Sequence, residues 1–217
     1  MSAVPPDAFA QLEALCLNVS RETLEGALAA LADYLALLAK WQTKINLVST
    51  STLQDAWTRH VLDSAQLWPL IPDGARTITD LGSGAGFPGL VLAILGKHRE
   101  GFKVHLIESD QRKGAFLREV IRVTGAPAEV HTARIEALTP WPSDVVTARA
   151  LAALDRLLPL AAPFVVPDGI ALFLKGKSAE TELTAARGWG TFEAEVIPSR
   201  TDAEAAILKL SRLAPMS

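Results

Sequence analysis

The residues best placed to do chemistry in this 217-residue chain are an acid followed by closely spaced glycines: Asp80-Leu81-Gly82-Ser83-Gly84-Ala85-Gly86-Phe87-Pro88-Gly89. A glycine lacks the Cβ that would hold a ligand off the backbone, and it tolerates the positive φ of a tight turn. The segment before this run, Arg76-Thr77-Ile78-Thr79-Asp80-Leu81, has the β-branched alternation of a strand. The segment after it, Leu90-Val91-Leu92-Ala93-Ile94-Leu95, predicts a buried helix ending near Gly96. A helix start behind a glycine turn presents unpaired N–H groups and the positive end of a dipole, so the run has the composition of a cofactor loop.

Two readings of the loop compete. Gly84-x-Gly86-x-x-Gly89 fits a dinucleotide fingerprint, with a pyrophosphate seated on the helix N-terminus. Asp80-x-Gly82-x-Gly84-x-Gly86 fits instead the loop of enzymes that use S-adenosylmethionine (SAM), where no phosphate needs a cradle. A plain strand-to-helix turn is the third possibility, since a bare glycine motif carries limited information. The next acid locates an adenosine without choosing between the cofactors. Glu108 ends the strand Phe102-Lys103-Val104-His105-Leu106-Ile107, a position that overhangs the crevice of an open α/β sheet and lets a carboxylate accept from both ribose hydroxyls. Each such bond to a charged group contributes roughly 1.5–3 kcal/mol.

Further strand ends supply polar groups to the same crevice. Ala128-Glu129-Val130-His131-Thr132-Ala133 is followed by Arg134-Ile135-Glu136, and Ser143-Asp144-Val145-Val146-Thr147-Ala148 by Arg149. A guanidinium at that place suits the carboxylate of SAM or the phosphates of a nucleic acid. Gly169-Ile170-Ala171-Leu172-Phe173-Leu174 ends in Lys175-Gly176-Lys177.

The elements that must position these residues alternate strand and helix from Arg76 onward, the pattern of a mostly parallel sheet covered on both faces. Helices are expected over 110–124, over 150–166 and through Arg187, and further strands over 192–197 and 205–210. Residues 7–45 read as helical, with Asp7 and Ser20 as N-caps and Leu24, Leu28, Leu31, Leu35 and Leu38 as an apolar stripe. A continuous helix from about 53 to 68 is expected next, with Trp57, Val61, Ala65 and Trp68 at helical spacing and an Arg59–Asp63 ion pair at i, i+4. This divides the chain into a helical extension, 1–70, and a sheet domain, 71–217, together one compact unit.

Several ordered motifs carry a family resemblance: Lys40-Trp41, Asn46-Leu47, Arg59-His60-Val61-Leu62-Asp63-Ser64, the loop Asp80 to Gly89, Arg134-Ile135-Glu136, Thr147-Ala148-Arg149-Ala150 and Leu174-Lys175-Gly176. They span nearly the whole chain, which resembles the RsmG (formerly GidB) family of bacterial methyltransferases. The resemblance implies methyl transfer from SAM to nitrogen 7 of a guanine in 16S ribosomal RNA. It also implies a class I, Rossmann-like α/β sheet with an antiparallel last strand and an N-terminal helical extension. Its cofactor residues would be Asp80, Gly82, Gly84, Gly86, Phe87, Glu108, Ile135, Glu136 and Arg149, with Ile135 and Glu136 at the adenine end. Apart from the resemblance, the residues themselves offer Arg59, His60, Lys113, Arg134, Lys175 and Lys177 as candidates for RNA contact, with Arg112, Arg118 and Arg122 as further basic candidates. The family's C-terminal Arg-His pair is replaced here by Asp202-Ala203-Glu204-Ala205-Ala206, and Arg200 is the nearby residue that could take its place.

Composition bounds the partners. The net charge is −3, with 21 basic and 24 acidic residues, so RNA binding demands a local basic face, because phosphate contacts supply much of nucleic-acid affinity. Cys16 is the lone cysteine, which excludes an internal disulfide and suits a reducing compartment. No Lys or Arg precedes Arg21, against a secretory signal, and the apolar stretch 151–174 is interrupted by Asp155, Arg156, Asp168 and three prolines, against a membrane span. A cytoplasmic monomer is expected. Four His and one Cys offer no Ser-His-Asp, Cys-His or metal-ligand spacing, so neither a metal nor a catalytic base is nominated. A guanine nitrogen 7 has an exposed lone pair and demands no base. Alternatives on the residues alone are a small-molecule methyltransferase, an NAD-dependent oxidoreductase and a non-catalytic RNA-binding protein.

Overall fold

Strand patterning builds the platform. In the computed structural model, which describes residues 4–216, seven strands form one sheet: β1 (Thr77–Leu81), β2 (Lys103–Ile107), β3 (Ala128–His131), β4 (Ser143–Arg149), β5 (Val165–Lys175), β6 (Gly190–Pro198) and β7 (Ala206–Pro215). Their order is β3-β2-β1-β4-β5-β7-β6. β1 to β5 pair in parallel, while β7 lies antiparallel between β5 and β6. The chain leaves β1 toward β2 and β3, then returns to β4 on the other side. The β1/β4 boundary is therefore the switch point where such sheets open a crevice at their carboxyl ends.

Alternation along the strands fills two cores. Ile78, Val145, Ile170, Leu172 and Leu174 face one way, and Leu81, Val146, Ala148, Ala171 and Phe173 the other. The first face is covered by α1 (Ala8–Leu15), α2 (Arg21–Gln42), α5 (Gly89–Leu95) and α6 (Gln111–Thr124). The second is covered by α7 (Leu154–Ala161) and α8 (Ala179–Ala186). Leu24, Leu31 and Leu38 of α2 bury their stripe in the same cluster as Val104 and Phe116, so the N-terminal helices share a core with the sheet.

Caps and breaks depart from the sequence reading in three places. Ser20 does cap α2, accepting from the Thr23 N–H at 3.3 Å. Asp7 makes no side-chain cap bond and accepts instead from the Gln11 amide at 2.9 Å. The continuous helix expected over 53–68 is divided into α3 (Thr50–Leu53), a π-helical turn (Trp57–Leu62), α4 (Asp63–Ala65) and a 3-10 turn (Trp68–Leu70). Single π turns inside helices commonly serve a site, and here Arg149 donates to the Arg59 carbonyl of that turn at 3.0 Å. The helix expected over 150–166 is delayed to Leu154 because Ala150 takes a positive φ of 53° and redirects the chain, and it stops at Pro163 in a 3-10 turn, Ala162–Phe164. Among the described residues, no helix is long and apolar enough to cross a membrane.

Candidate active site

Backbone N–H groups organise the first wall of the crevice. Beyond β1 the chain turns sharply, with the Ser83 N–H donating to the Ile107 carbonyl at 2.9 Å. The next N–H, of Gly84, donates to Glu108 Oε2 at 2.8 Å, while Glu108 Oε1 accepts from the Asp110 N–H at 2.8 Å. The carboxylate is thus fixed at both oxygens, and each oxygen keeps a lone pair for a further donor. Glu108 lines a cavity of about 460 Å³ together with Gly82, Gly84, Phe87, Ile135, Glu136 and Arg149. That volume suits a ligand-sized site.

The glycines divide by role. A Cβ on Gly84 (φ +57°) would meet no protein atom closer than the Gly82 carbonyl oxygen at 3.8 Å, so a ligand can approach the backbone there. A Cβ on Gly86 (φ +96°) would lie 2.4 Å from Leu90 Cδ1 and 2.7 Å from the Tyr34 hydroxyl oxygen. Gly86 therefore serves helix packing and, unlike Gly82 and Gly84, does not line the cavity. Gly89 likewise accommodates Leu106 and Asp80, whose atoms would lie 2.4 and 2.8 Å from its Cβ. The dinucleotide pattern is consequently used for packing at two of its three glycines.

Asp80 is also off the wall. It is fully buried under the loop, and its Oδ1 accepts from the Thr147 hydroxyl at 2.7 Å, tying β1 to β4. Its Oδ2 has no hydrogen-bond partner among the described residues. Burial pushes its pKa up to about 6, against the Thr147 hydrogen bond that favours the charged form.

Phe87 forms the second wall. It is sandwiched between Tyr34 and His60, with ring centroids at 5.0 and 4.8 Å, and the Tyr34 hydroxyl donates to the Ala85 carbonyl. Arg149 lies over the same ring, 5.2 Å from its centroid. Its Nη2 donates to His60 Nδ1 at 3.1 Å and its Nη1 pairs with Asp63 at 3.3 Å. His60 Nε2 is 3.0 Å from the Thr52 hydroxyl. Because a guanidinium only donates, Nδ1 must be the unprotonated nitrogen and Nε2 carries the proton. Burial and then the Arg149 charge push the His60 pKa down to about 4. His60 is a buried, neutral ring that positions Arg149.

The expected basic face is partly neutralised. Beside the first cavity lies a second hollow of about 400 Å³, sharing Arg149, Ala150 and Leu151 with it. There Arg59 pairs with Asp202 at 2.8 Å and Lys175 with Glu182 at 2.8 Å, so neither is a free cation. The expected Arg59–Asp63 pair does not form, since Asp63 is taken by Arg149. Arg112 pairs with Asp110 at 3.6 Å, Arg122 with Glu119 at 2.8 Å, and Arg118 donates to Thr132 at 2.6 Å. Lys113 and Arg134 do reach the cavity wall, and Lys177 is exposed on its loop. Arg200 lines a separate depression with Leu17, Asn18 and Pro72. Its turn is pinned there by Gln66, whose Oε1 accepts from the Arg200 N–H at 2.8 Å.

Two groups of residues escaped the sequence reading. Leu47 and Val48 line the cavity because the Gln42 amide oxygen accepts from both their N–H groups at 3.0 Å; the Gln-x4-Leu spacing alone does not announce this. His105, Glu129 and His131 come together through strand register, which linear spacing hides.

Comparison with known proteins adds a family to this geometry. A family model described as GidB, rRNA small subunit methyltransferase G, matches residues 27–203. The ribosomal RNA small subunit methyltransferase G of Rhodospirillum centenum is 60% identical over 198 residues, covering 91% of this chain and 88% of its own. That of Parvibaculum lavamentivorans is 58% identical over 198 residues, covering 90% and 86%. Among solved structures, an O-methyltransferase from Bacillus cereus in complex with SAH superimposes with a TM-score of 0.58 at 16% identity, over 84% of this chain and 90% of that one. At that identity the likeness speaks for fold: a class I SAM-dependent methyltransferase sheet.

Proposed function

Because this chain belongs to the rRNA small subunit methyltransferase G family, we propose that it transfers the methyl group of SAM to nitrogen 7 of a guanine in 16S ribosomal RNA. The observation that carries the cofactor half is the Glu108 carboxylate, held by the Gly84 and Asp110 N–H groups at 2.8 Å beside a glycine with open space over its Cβ position. The residues present fit the cofactor: an acid for the ribose diol, a bare backbone at Gly84, and Ile135 and Glu136 on the wall where the adenine would lie. Gly86, filled by Leu90 and Tyr34, weighs against the dinucleotide alternative, whose second glycine must let the pyrophosphate approach the backbone.

SAM supplies an electron-poor methyl on a sulfonium. Everything else is positioning by the protein. Glu108 would hold the ribose, the bare backbone at Gly84 would admit the methionine half, and Arg149, fixed by His60 and Asp63, stands where the two hollows meet. No side chain is asked to remove a proton, because nitrogen 7 attacks through an existing lone pair. Consistently, His60 has its free nitrogen occupied by Arg149 and Asp80 is off the wall. Orientation of the nucleophile, methyl and sulfur can supply roughly 7–11 kcal/mol of the barrier. Lys113 and Arg134 at the cavity and exposed Lys177 are the cations left to meet RNA phosphates.

The test combines binding with transfer. Calorimetry is expected to show one equivalent of SAM or SAH bound and no NAD, and labelled methyl should pass from SAM into small-subunit RNA prepared from cells lacking this enzyme. SAM binding without transfer to naked RNA or to subunits would refute the substrate; NAD binding without SAM binding would refute the cofactor.

A further inference from the structure

We propose that His105, Glu129 and His131 form a binding site for a divalent ion of the zinc class, on the sheet outside the cofactor cavity. The site follows from register. β2 and β3 pair in parallel with His105 beside Glu129 and Ile107 beside His131, and the two-residue period of a strand sends all three side chains to one face. That face is covered by α7 and α8 further along the sheet; here Trp141 packs on it, its ring 5.0 Å from that of His105 and 4.5 Å from that of His131. Trp141 is itself fixed, donating to the Thr79 hydroxyl at 2.9 Å and packing edge-on against Phe164.

The donor atoms converge without a backbone change. His105 Nδ1 and His131 Nε2 share a hydrogen bond at 2.9 Å, and Glu129 brings its Oε2 to 4.0 Å of the first and its Oε1 to 3.9 Å of the second. With metal–nitrogen bonds of about 2.0–2.1 Å, nitrogens that close subtend about 90°, and opening them by about half an ångström reaches the tetrahedral angle. The carboxylate closes a similar distance by side-chain rotation. Two imidazoles and one carboxylate, with water completing the shell, are a ligand set that zinc takes and magnesium or calcium does not.

A competitor is built in. The Lys103 ammonium lies 2.5 Å from Glu129 Oε2, with both side chains about half exposed. An exposed pair of this kind contributes little, and an ion held by two imidazoles should displace it. When bound, the ion would staple the edge strand β3 to β2, directly before residues 133–136 on the cavity wall.

The experiment titrates untagged, metal-stripped full-length protein with Co²⁺, followed by quenching of Trp141 emission, and then displaces it with Zn²⁺. One equivalent should bind saturably. His131→Gln and Glu129→Gln should each weaken binding by at least about tenfold, since even indirect partners of a metal site cost 10–100-fold. Lys103→Met should tighten it, and Trp141→Phe should abolish the quench while calorimetry still shows binding. Circular dichroism checks that each variant folds, and if His131→Gln does not, Glu129→Gln carries the test. Absence of saturable binding, or equal affinity in the native and Glu129→Gln proteins, would overturn the site.

Discussion

Exchanging Gly84 and Gly86 separately for alanine should separate binding from stability, although both glycines belong to one motif. At Gly84 an added Cβ meets only open space, with Gly82 O at 3.8 Å. The left-handed φ of +57° costs a non-glycine residue about 1–2 kcal/mol, offset by about 0.4–1 kcal/mol from the stiffer unfolded chain. A net loss near 1 kcal/mol lowers the melting temperature of a chain this size by about 2–4 °C. The same methyl stands where the cofactor must approach, so SAM affinity should fall at least about tenfold, or 1.4 kcal/mol. At Gly86 the methyl would lie 2.4 Å from Leu90 Cδ1 and 2.7 Å from the Tyr34 oxygen, at φ +96°. Overpacking costs about 1–3 kcal/mol and the strained backbone about 1–3 kcal/mol more, for a drop of about 5–20 °C. Thermal unfolding and calorimetric SAM binding on both variants give the answer. Equal melting losses, or native SAM affinity in Gly84→Ala, would refute the division of roles.

Other consequences are more quickly tested. His60 has its folded pKa depressed to about 4 from an ordinary 6.5, so it contributes stability that is present above pH 6.5 and lost as pH falls through 4. The amount is about 3 kcal/mol, and chemical denaturation at pH 7 and pH 4 should show His60→Gln losing that much less on acidification than the native protein. Arg200→Ala should leave RNA methylation unchanged, whereas Arg134→Ala should weaken RNA binding and lower its salt slope by about one; the reverse pattern in filter binding would move the RNA path to the other side of the molecule. Cys16 is fully buried and burial pushes its thiol up to about 12. A chromogenic thiol reagent should therefore label it only after unfolding, and rapid labelling of the native chain would contradict that burial.

The sheet was legible because strand residues repeat with period two and are bounded by glycine, proline and polar turns, from Thr77–Leu81 to Ala206–Pro215. Glu108 was legible for the same reason: a strand-end acid in an open α/β sheet has few places to point. What escaped was set by contacts between distant segments. The π turn at Trp57–Leu62 has helical spacing in sequence and departs from it where Arg149, far along the chain, takes the Arg59 carbonyl. Arg59 and Lys175 read as RNA cations until Asp202 and Glu182 are seen against them. Gly86 and Asp80 share a motif with Gly84, yet Leu90, Tyr34 and Thr147 claim them. Motif membership selects the loop; packing decides which of its residues face the cavity.

The most direct test is nucleoside analysis of small-subunit RNA after incubation with labelled SAM and this protein, with a Glu108→Ala protein alongside. The account predicts label in 7-methylguanosine alone, reduced by about tenfold or more in Glu108→Ala, since roughly 1.5–3 kcal/mol is at stake per hydrogen bond to a charged group. Label in another nucleoside, or full activity without the Glu108 carboxylate, would contradict it.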